Sequence, residues 1–559
     1  MAIFLASSSA MASNTVTAED LAKMQQVGQV QVSPSGDDFA FIRHVPRELY
    51  VEKDGTSWSE LYLVDDKGVK RPYITGKAKV KSIQWAADGQ TIYFLTKQKE
   101  DKFTSLYQIP VKGGQATKVL SLKDTSISGY VLSPDNKQVA LLAKAPKDKS
   151  EKKLKELGFK AEVYEEDLKS QFLHIVDLKV ADKALTPEAV EIQDYVSAVQ
   201  WSPKGDRLLV KTQPSALIDD KYMKSQWHLF DILANKIIQS YATEGKLGAA
   251  EFSHDGKYIA ILGAEDKHDP ATGRLFLAKV KTGEVSDWLP GFAGHISDFE
   301  WANKSNNLFF TANIGTQTKV AKIKVGSNKY KTLVKEGRFI AGNLSVSDSD
   351  KTIALRGNTA THPNEVFMLR GSKYKAKKLT ETNPWLADKA LAKQETISIK
   401  ARDGVEIDGV LIYPLDYKQG QRYPLIMTVH GGPESHDKDG WITRYSRPGQ
   451  MAAAQGYAVF HPNYRGSTGK GVEYSKLGQN DYAGNEFDDL IDFKNHFVEI
   501  GLVDEKKVGI TGGSYGGYAS AWGATSPSTS PTALVLRPCA AGWTRPARRT
   551  ASGGSARGA

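Results

Sequence analysis

Over most of the first 370 residues, apolar and polar positions recur in one arrangement. In chain order it reads QVSPSGDDFAFI, QWAADGQTIYFL, VLSPDNKQVALL, QWSPKGDRLLVK, EFSHDGKYIAIL, EWANKSNNLFFT and SVSDSDKTIALR. Each copy has an apolar residue, a small residue, a polar turn, and then an alternating apolar run. The small residue falls at Ser33, Ala86, Ser133, Ser202, Ser253, Ala302 and Ser347, at intervals of 45 to 69 residues. Ser, Pro, Asp and Gly in that order suit a type I turn, with Pro fixing φ at the second position. The alternating run suits a strand with two differently packed faces. A unit of about 45 to 50 residues holds the four strands of a propeller blade, which cannot cover its own faces and must stack on neighbours. Seven copies predict a seven-bladed β-propeller. A β-sandwich with coincidental turns is the alternative, and the near-regular spacing argues against it.

The widest interval, between the third and fourth copies, carries KDKSEKKLKELGFKAEVYEEDLKSQ, with seven lysines and seven acidic residues. This predicts an insertion at a blade edge whose KKLKEL portion forms a short solvated helix. Within it, Glu165 and Glu166 are candidates for binding a peptide α-amino group, against the plainer reading of a solvated charged loop.

After NPWLADKALAKQ the period changes. ETISIKA and GVEIDGVLIYP read as strands joined at Asp403-Gly404. YPLIMTVHGG and YAVFHPNYRG are continuous apolar runs of the kind found in buried parallel strands. Phe487, Leu490, Ile491, Phe497 and Val498 fit one helix face, and KKVGIT gives a further strand. Strands alternating with helices indicate an α/β domain.

That last strand runs directly into Gly512-Gly513-Ser514-Tyr515-Gly516, a G-x-S-x-G sequence. A nucleophilic serine on a tight strand-to-helix turn needs flanking glycines, because side chains there would collide. Its hydroxyl then stands at a helix head, where the dipole favours developing negative charge. With HGGP about 80 residues earlier, the pattern becomes specific. The backbone N–H groups of Gly432 and Tyr515 are the expected oxyanion donors. GSTGKG lacks P-loop spacing, and His430, His436 and His461 form no metal-ligand pattern. Arg465 could bind a substrate carboxylate or sit in an internal ion pair.

Composition changes this picture in two places. A net charge of +10 raises the question of nucleic acid, but five arginines lie within the last 34 residues and no basic motif accompanies the charge. Apolar content of 40%, charged content of 25% and a single cysteine, Cys539, describe an ordinary globular chain with no internal disulfide. No stretch is apolar enough to span a bilayer. MAIFLASSSAMASNTV has a short apolar run and an A-x-A pattern, which favours a periplasmic or secreted location over a cytoplasmic one.

HGGPES, GWITRYSRPGQ, HPNYRGSTGKG, EFDDLIDF and GLVDEKKVGITGGSYGGYASAWGAT together resemble the prolyl oligopeptidase family of serine peptidases, in its acylaminoacyl-peptidase and dipeptidyl-peptidase-like branch. The resemblance covers about Ala18 to Thr525. It implies a seven-bladed propeller capping an α/β-hydrolase domain, Ser514 as nucleophile, short peptides as substrates and no cofactor. It also implies an Asp and then a His downstream of the serine. None of the 45 residues after Ser514 is Asp, Glu or His, and from Ser526 the composition turns to Ser, Pro, Arg, Ala and Gly.

The expected organisation is therefore a signal remnant or disordered N-terminus over 1–16, the propeller with a short N-terminal helix over 17–380, a linker over 381–394, a hydrolase domain incomplete at its C-terminal end over 395–525, and a disordered, frame-shifted tail over 526–559. The nucleophile strand is expected to be a sheet edge, and the chain itself to be a poor catalyst. An esterase-like hydrolase and a propeller used only for binding are the alternative functions.

Overall fold

The computed structural model describes residues 14–525, apart from 147, 162–163, 167 and 179–183, together with Leu534–Val535. Residues 26–378 form seven sheets in chain order. Six of them contain four consecutive antiparallel strands, the first being Gln26–Val32, Asp38–Val45, Trp58–Asp65 and Lys70–Ile74. They are the blades of a seven-bladed propeller. Blade 3 departs from the expected four: its described strands are Ile127–Leu132, Gln138–Lys144 and Gln171–Asp177. The following strand, Ala184–Leu185, instead pairs in parallel with the outer strand of blade 2.

The recurring serine has a specific job. Its hydroxyl accepts the N–H five residues on, at 3.1 Å for Ser33–Asp38, 2.9 Å for Ser133–Gln138 and 3.0 Å for both Ser202–Arg207 and Ser253–Tyr258. This closes the hairpin between the innermost strand and the next. The apolar residue before the serine or alanine is buried in every blade. Where it is tryptophan, the indole reaches back to the preceding blade: Trp85 Nε1 donates to the Gln31 carbonyl (3.2 Å), Trp201 to Val131 (2.9 Å) and Trp301 to Glu251 (3.0 Å). Blades 2, 4 and 6 thus each carry a lock on the blade before them.

Blades 1 and 7 share no strand. Their seam is closed by the N–H groups of Val30 and Val32, which donate to the side chains of Asn343 and Ser345. An apolar layer joining Val30, Phe39 and Phe41 to Ala354, Val366 and Met368 completes it.

In the insertion, a helix spans Lys149–Glu156 with Asp148 as its N-cap, as the charge pattern predicts. At the N-terminus, Thr17 and Asp20 cap the helix Ala18–Ala22 reciprocally. This arm grips the linker: Gln25 and Asn383 exchange two hydrogen bonds, and Lys389 pairs with the buried Asp20 at 2.7 Å.

The second domain is a sheet in the order 394–400, 406–412, 458–463, 423–429, 503–512, 534–535. Tyr423–Val429 runs parallel to both Ala458–Asn463 and Val503–Gly512. Phe487, Leu490, Phe493 and Phe497 of the helix Asn485–Glu499 pack on it. The expectation that the nucleophile strand ends the sheet is corrected by Leu534–Val535, which pairs in parallel with Gly509 and Ile510. The rest of the proposed tail, and residues 1–13, lie outside the described residues.

Candidate active site

The strand Val503–Gly512 turns through Gly513 and Ser514 into the helix Tyr515–Thr525. Ser514 has φ +55°, the left-handed region that a side chain enters at a cost. The first helical turn holds it there: the N–H groups of Gly517 and Tyr518 donate to the Ser514 carbonyl at 2.9 and 3.1 Å. The glycines permit a close approach of backbones. A Cβ on Gly516 would lie 2.1 Å from the Val429 carbonyl oxygen, and one on Gly512 would lie 2.5 Å from the same atom. A Cβ on Gly431 would lie 3.1 Å from the Ser514 Cβ. The HGG turn and the serine turn, with Gly431 and Ser514 83 residues apart in sequence, are therefore in contact. Gly432 follows with φ +136°. This juxtaposition places the backbone of the HGG turn beside an exposed serine at a helix head.

Two anchors hold these turns. The Tyr515 hydroxyl donates to the buried Glu486 carboxylate and accepts the Ala483 N–H at 3.3 Å. Burial pushes the Glu486 carboxyl up, and burial together with Glu486 pushes the Tyr515 hydroxyl up, so the phenol keeps its proton. On the other side, His430 is fully buried. Its ring stacks on Tyr464 with centroids 4.5 Å apart, its Nε2 meets Ser467 Oγ at 2.9 Å, and its carbonyl accepts the Tyr464 hydroxyl at 3.2 Å. Burial pulls the imidazole down, keeping it neutral. His430 is thus a structural support of the HGG turn.

Arg465 takes the ion-pair role. Its Nη2 donates to buried Asp489 at 2.6 Å and to Asp403 at 3.0 Å, and its Nε reaches both Asp489 oxygens. With 4% of its surface exposed, it has no face for a substrate carboxylate, and that assignment is corrected. Glu165 and Glu166 lie on an exposed turn of the blade 3 insertion. The structure shows no hydrogen bond or ion pair from them to the hydrolase domain among the described residues.

All eleven histidines lie among the described residues, the last being His496. None of them hydrogen-bonds Ser514. His436 Nδ1 meets Thr468 Oγ1 at 2.7 Å, and His461 Nδ1 lies 3.6 Å from Asp437 Oδ2. Among the described residues there is no cluster of His, Cys, Asp and Glu able to hold a metal.

The hydrolase domain docks on blades 5, 6 and 7. Lys246 of blade 5 bridges Asp269 and Glu434, the second residue after Gly432, and the Ala271 N–H donates to Glu434 at 3.2 Å. The Asp439 N–H donates to the Thr316 carbonyl (2.8 Å), and the Trp441 N–H to Asn358 Oδ1 (2.9 Å). Sequence reasoning missed Glu434, Glu486 and Tyr464. All three stood inside the quoted motifs, but their partners come from other elements.

Comparison with known proteins agrees with this geometry. Residues 443–540 match the model of the prolyl oligopeptidase family. Dipeptidyl-peptidase 5 of Porphyromonas gingivalis is 23% identical over 537 residues, covering 91% of this chain and 76% of that protein. Dipeptidyl aminopeptidase BIII of Pseudoxanthomonas mexicana is 25% identical over 513 residues, covering 89% and 67%. A solved acylaminoacyl peptidase in complex with Z-Gly-Gly-Phe-chloromethyl ketone superposes with a TM-score of 0.72 at 17% identity, over 90% of this chain and 76% of that one. The resemblance carried by the motifs is shown, and the propeller-plus-hydrolase architecture with it.

Proposed function

We propose that this prolyl oligopeptidase-like chain is built as a serine peptidase for short peptides, with Ser514 as nucleophile and the N–H groups of Gly432 and Tyr515 as oxyanion donors. The observation that carries the reading is the contact between Gly431 and Ser514 at a positive-φ turn heading a helix. Such a turn exposes a hydroxyl beside backbone donors that stabilise a tetrahedral oxyanion. The relatives named as dipeptidyl peptidases, and the solved neighbour holding a peptide chloromethyl ketone, support a peptidyl rather than a simple ester substrate.

Among the described residues, no imidazole hydrogen-bonds Ser514 to take its proton. A hydroxyl without a base is a weak nucleophile, so turnover rests on the oxyanion donors and on binding. The same observation favours a second reading for this polypeptide, peptide binding without appreciable cleavage. The test is labelling by a fluorophosphonate probe, with Ser514→Ala as the blank. Slow labelling confined to Ser514 is expected; labelling that survives in Ser514→Ala overturns the nucleophile assignment. Labelling as fast as that of an intact serine hydrolase overturns the missing base.

No helix among the described residues is long and apolar enough to cross a membrane. The N-terminal run that suggests export precedes the described residues, and mass analysis of the protein recovered from its own cells tests for its removal.

A further inference from the structure

Among the described residues, two cations at the junction of propeller and hydrolase have no hydrogen-bonded or ion-paired anion. Lys438 lies on the loop that leaves the oxyanion turn, and both its neighbours are committed. The Asp437 N–H donates to Asn463 (2.7 Å) and its carboxylate pairs with Arg447. The Asp439 carboxylate accepts Gln317 Nε2 (3.0 Å) and Gln394 Nε2 (2.8 Å). Arg356 lies on the blade 7 strand Thr352–Thr359, two residues before Asn358. Alternate strand residues share a face, so Arg356 faces the side on which Asn358 holds the Trp441 N–H of that same loop. On the innermost strand the residue paired with Arg356 is Gly342, where an added Cβ would lie 3.7 Å from the Arg356 Nη2, an ordinary contact distance.

Among the described residues, neither the Arg356 guanidinium nor the Lys438 ammonium makes a hydrogen bond or ion pair, and neither is a residue with further unprinted contacts. Asp298 attracts Arg356, but its oxygens are held by the N–H groups of Leu344 (2.8 Å) and Phe299 (3.0 Å). Burial pulls both cations below their ordinary values, and the charge of Arg356 acts on Lys438 in the same direction, against the pull of Asp437. Two half-buried like charges without an ion-paired partner raise the free energy of the folded chain, and an anion placed against both lowers it.

The position says which anion. Lys438 is seven residues along the chain from Gly431, which touches Ser514. Seven residues span at most about 25 Å, the length of a peptide of about seven residues. We propose that Arg356 and Lys438 form a carboxylate site that seats the C-terminal carboxylate, or an acidic side chain, of a short peptide lying against Ser514. The proposal rests on the peptidase reading for its ligand class and adds the chemical group recognised.

The test reads binding and needs no bond cleavage. A five-residue peptide with an N-terminal fluorophore is titrated with the full chain, as the free acid and as the C-terminal amide, and anisotropy is followed. A second pair carries internal Glu or Gln on an amidated backbone. A preference of about tenfold or more for the free acid or for the Glu peptide is expected, and it identifies which carboxylate is seated. Arg356→Gln and Lys438→Gln should each remove most of that preference while binding of the neutral peptide persists. Arg356→Lys, which keeps the charge, should retain part of it and guards against misfolding. Equal binding of charged and neutral peptides, no binding of either, or a preference that survives both Gln variants overturns the proposal. Any of these leaves the Ser514 labelling result untouched, and failure of the labelling leaves this one untouched.

Discussion

Asp489 and Asp403 bind the same guanidinium from opposite sides, and removing each should have very different consequences. Asp489 is fully buried and accepts the Arg465 backbone N–H at 2.8 Å, its Nε at 3.0 and 3.1 Å and its Nη2 at 2.6 Å. Asp489→Ala strands a buried guanidinium and orphans a buried amide. Breaking one side of a buried pair costs about 3–5 kcal/mol. The Asp403 side chain is 43% exposed, so Asp403→Ala should cost no more than about 1 kcal/mol. Amide exchange read by mass spectrometry on peptides covering 458–465 and 485–499 separates the two. At about 1.4 kcal/mol per factor of ten, Asp489→Ala should cut protection there by a factor of about 100 or more. Asp403→Ala should cut it by no more than about fivefold. Comparable losses in the two variants, or a loss under about fivefold for Asp489→Ala, would refute the assignment of Arg465 to a buried structural pair.

Gly516→Ala should destabilise the serine turn by at least about 1–3 kcal/mol and abolish probe labelling, because its Cβ would lie 2.1 Å from the Val429 oxygen; unchanged thermal stability would contradict this. Lys246→Met should raise amide exchange over 431–436 several-fold and leave blades 1 to 3 unchanged, since it cuts the tie to Glu434; no change would remove that tie from the account. His295 is held down to about 4 by burial, with its Nδ1 accepting the Gly273 N–H at 2.8 Å. The unfolded chain takes up that proton near the ordinary value and the folded chain does not, so this contribution is full above about pH 6.5 and lost as pH falls towards 4. Asp403 is held down to about 2 by Arg465, so its contribution is full above about pH 4 and lost as pH falls through about 2. A urea midpoint that stays constant from pH 7 to pH 3 would contradict both.

The propeller was legible because one local rule repeats. The serine turn, the apolar residue before it and the alternating run after it all act within a dozen residues, so each copy declares its hairpin unaided. Blade 3 was less legible because Ala184–Leu185 pairs with the previous blade, a choice made by tertiary neighbours. In the hydrolase domain, Ser514 and the HGG turn could be read because glycine spelling reports backbone proximity directly. Arg356 and Lys438 could not be read, since an unpaired charge is visible only once every candidate partner has been placed. The reach of Lys246 to Glu434 spans 188 positions, and nothing in either residue's surroundings announces it.

The propeller's first and last blades meet at a seam spanned by side chains and not by a shared strand. The linker to the hydrolase leaves from that seam, and the N-terminal arm grips it there. Tension carried by the linker therefore arrives where no ladder of main-chain hydrogen bonds resists it. The molecule is mechanically a split washer: under load the gap between blades 1 and 7 widens while each blade stays whole.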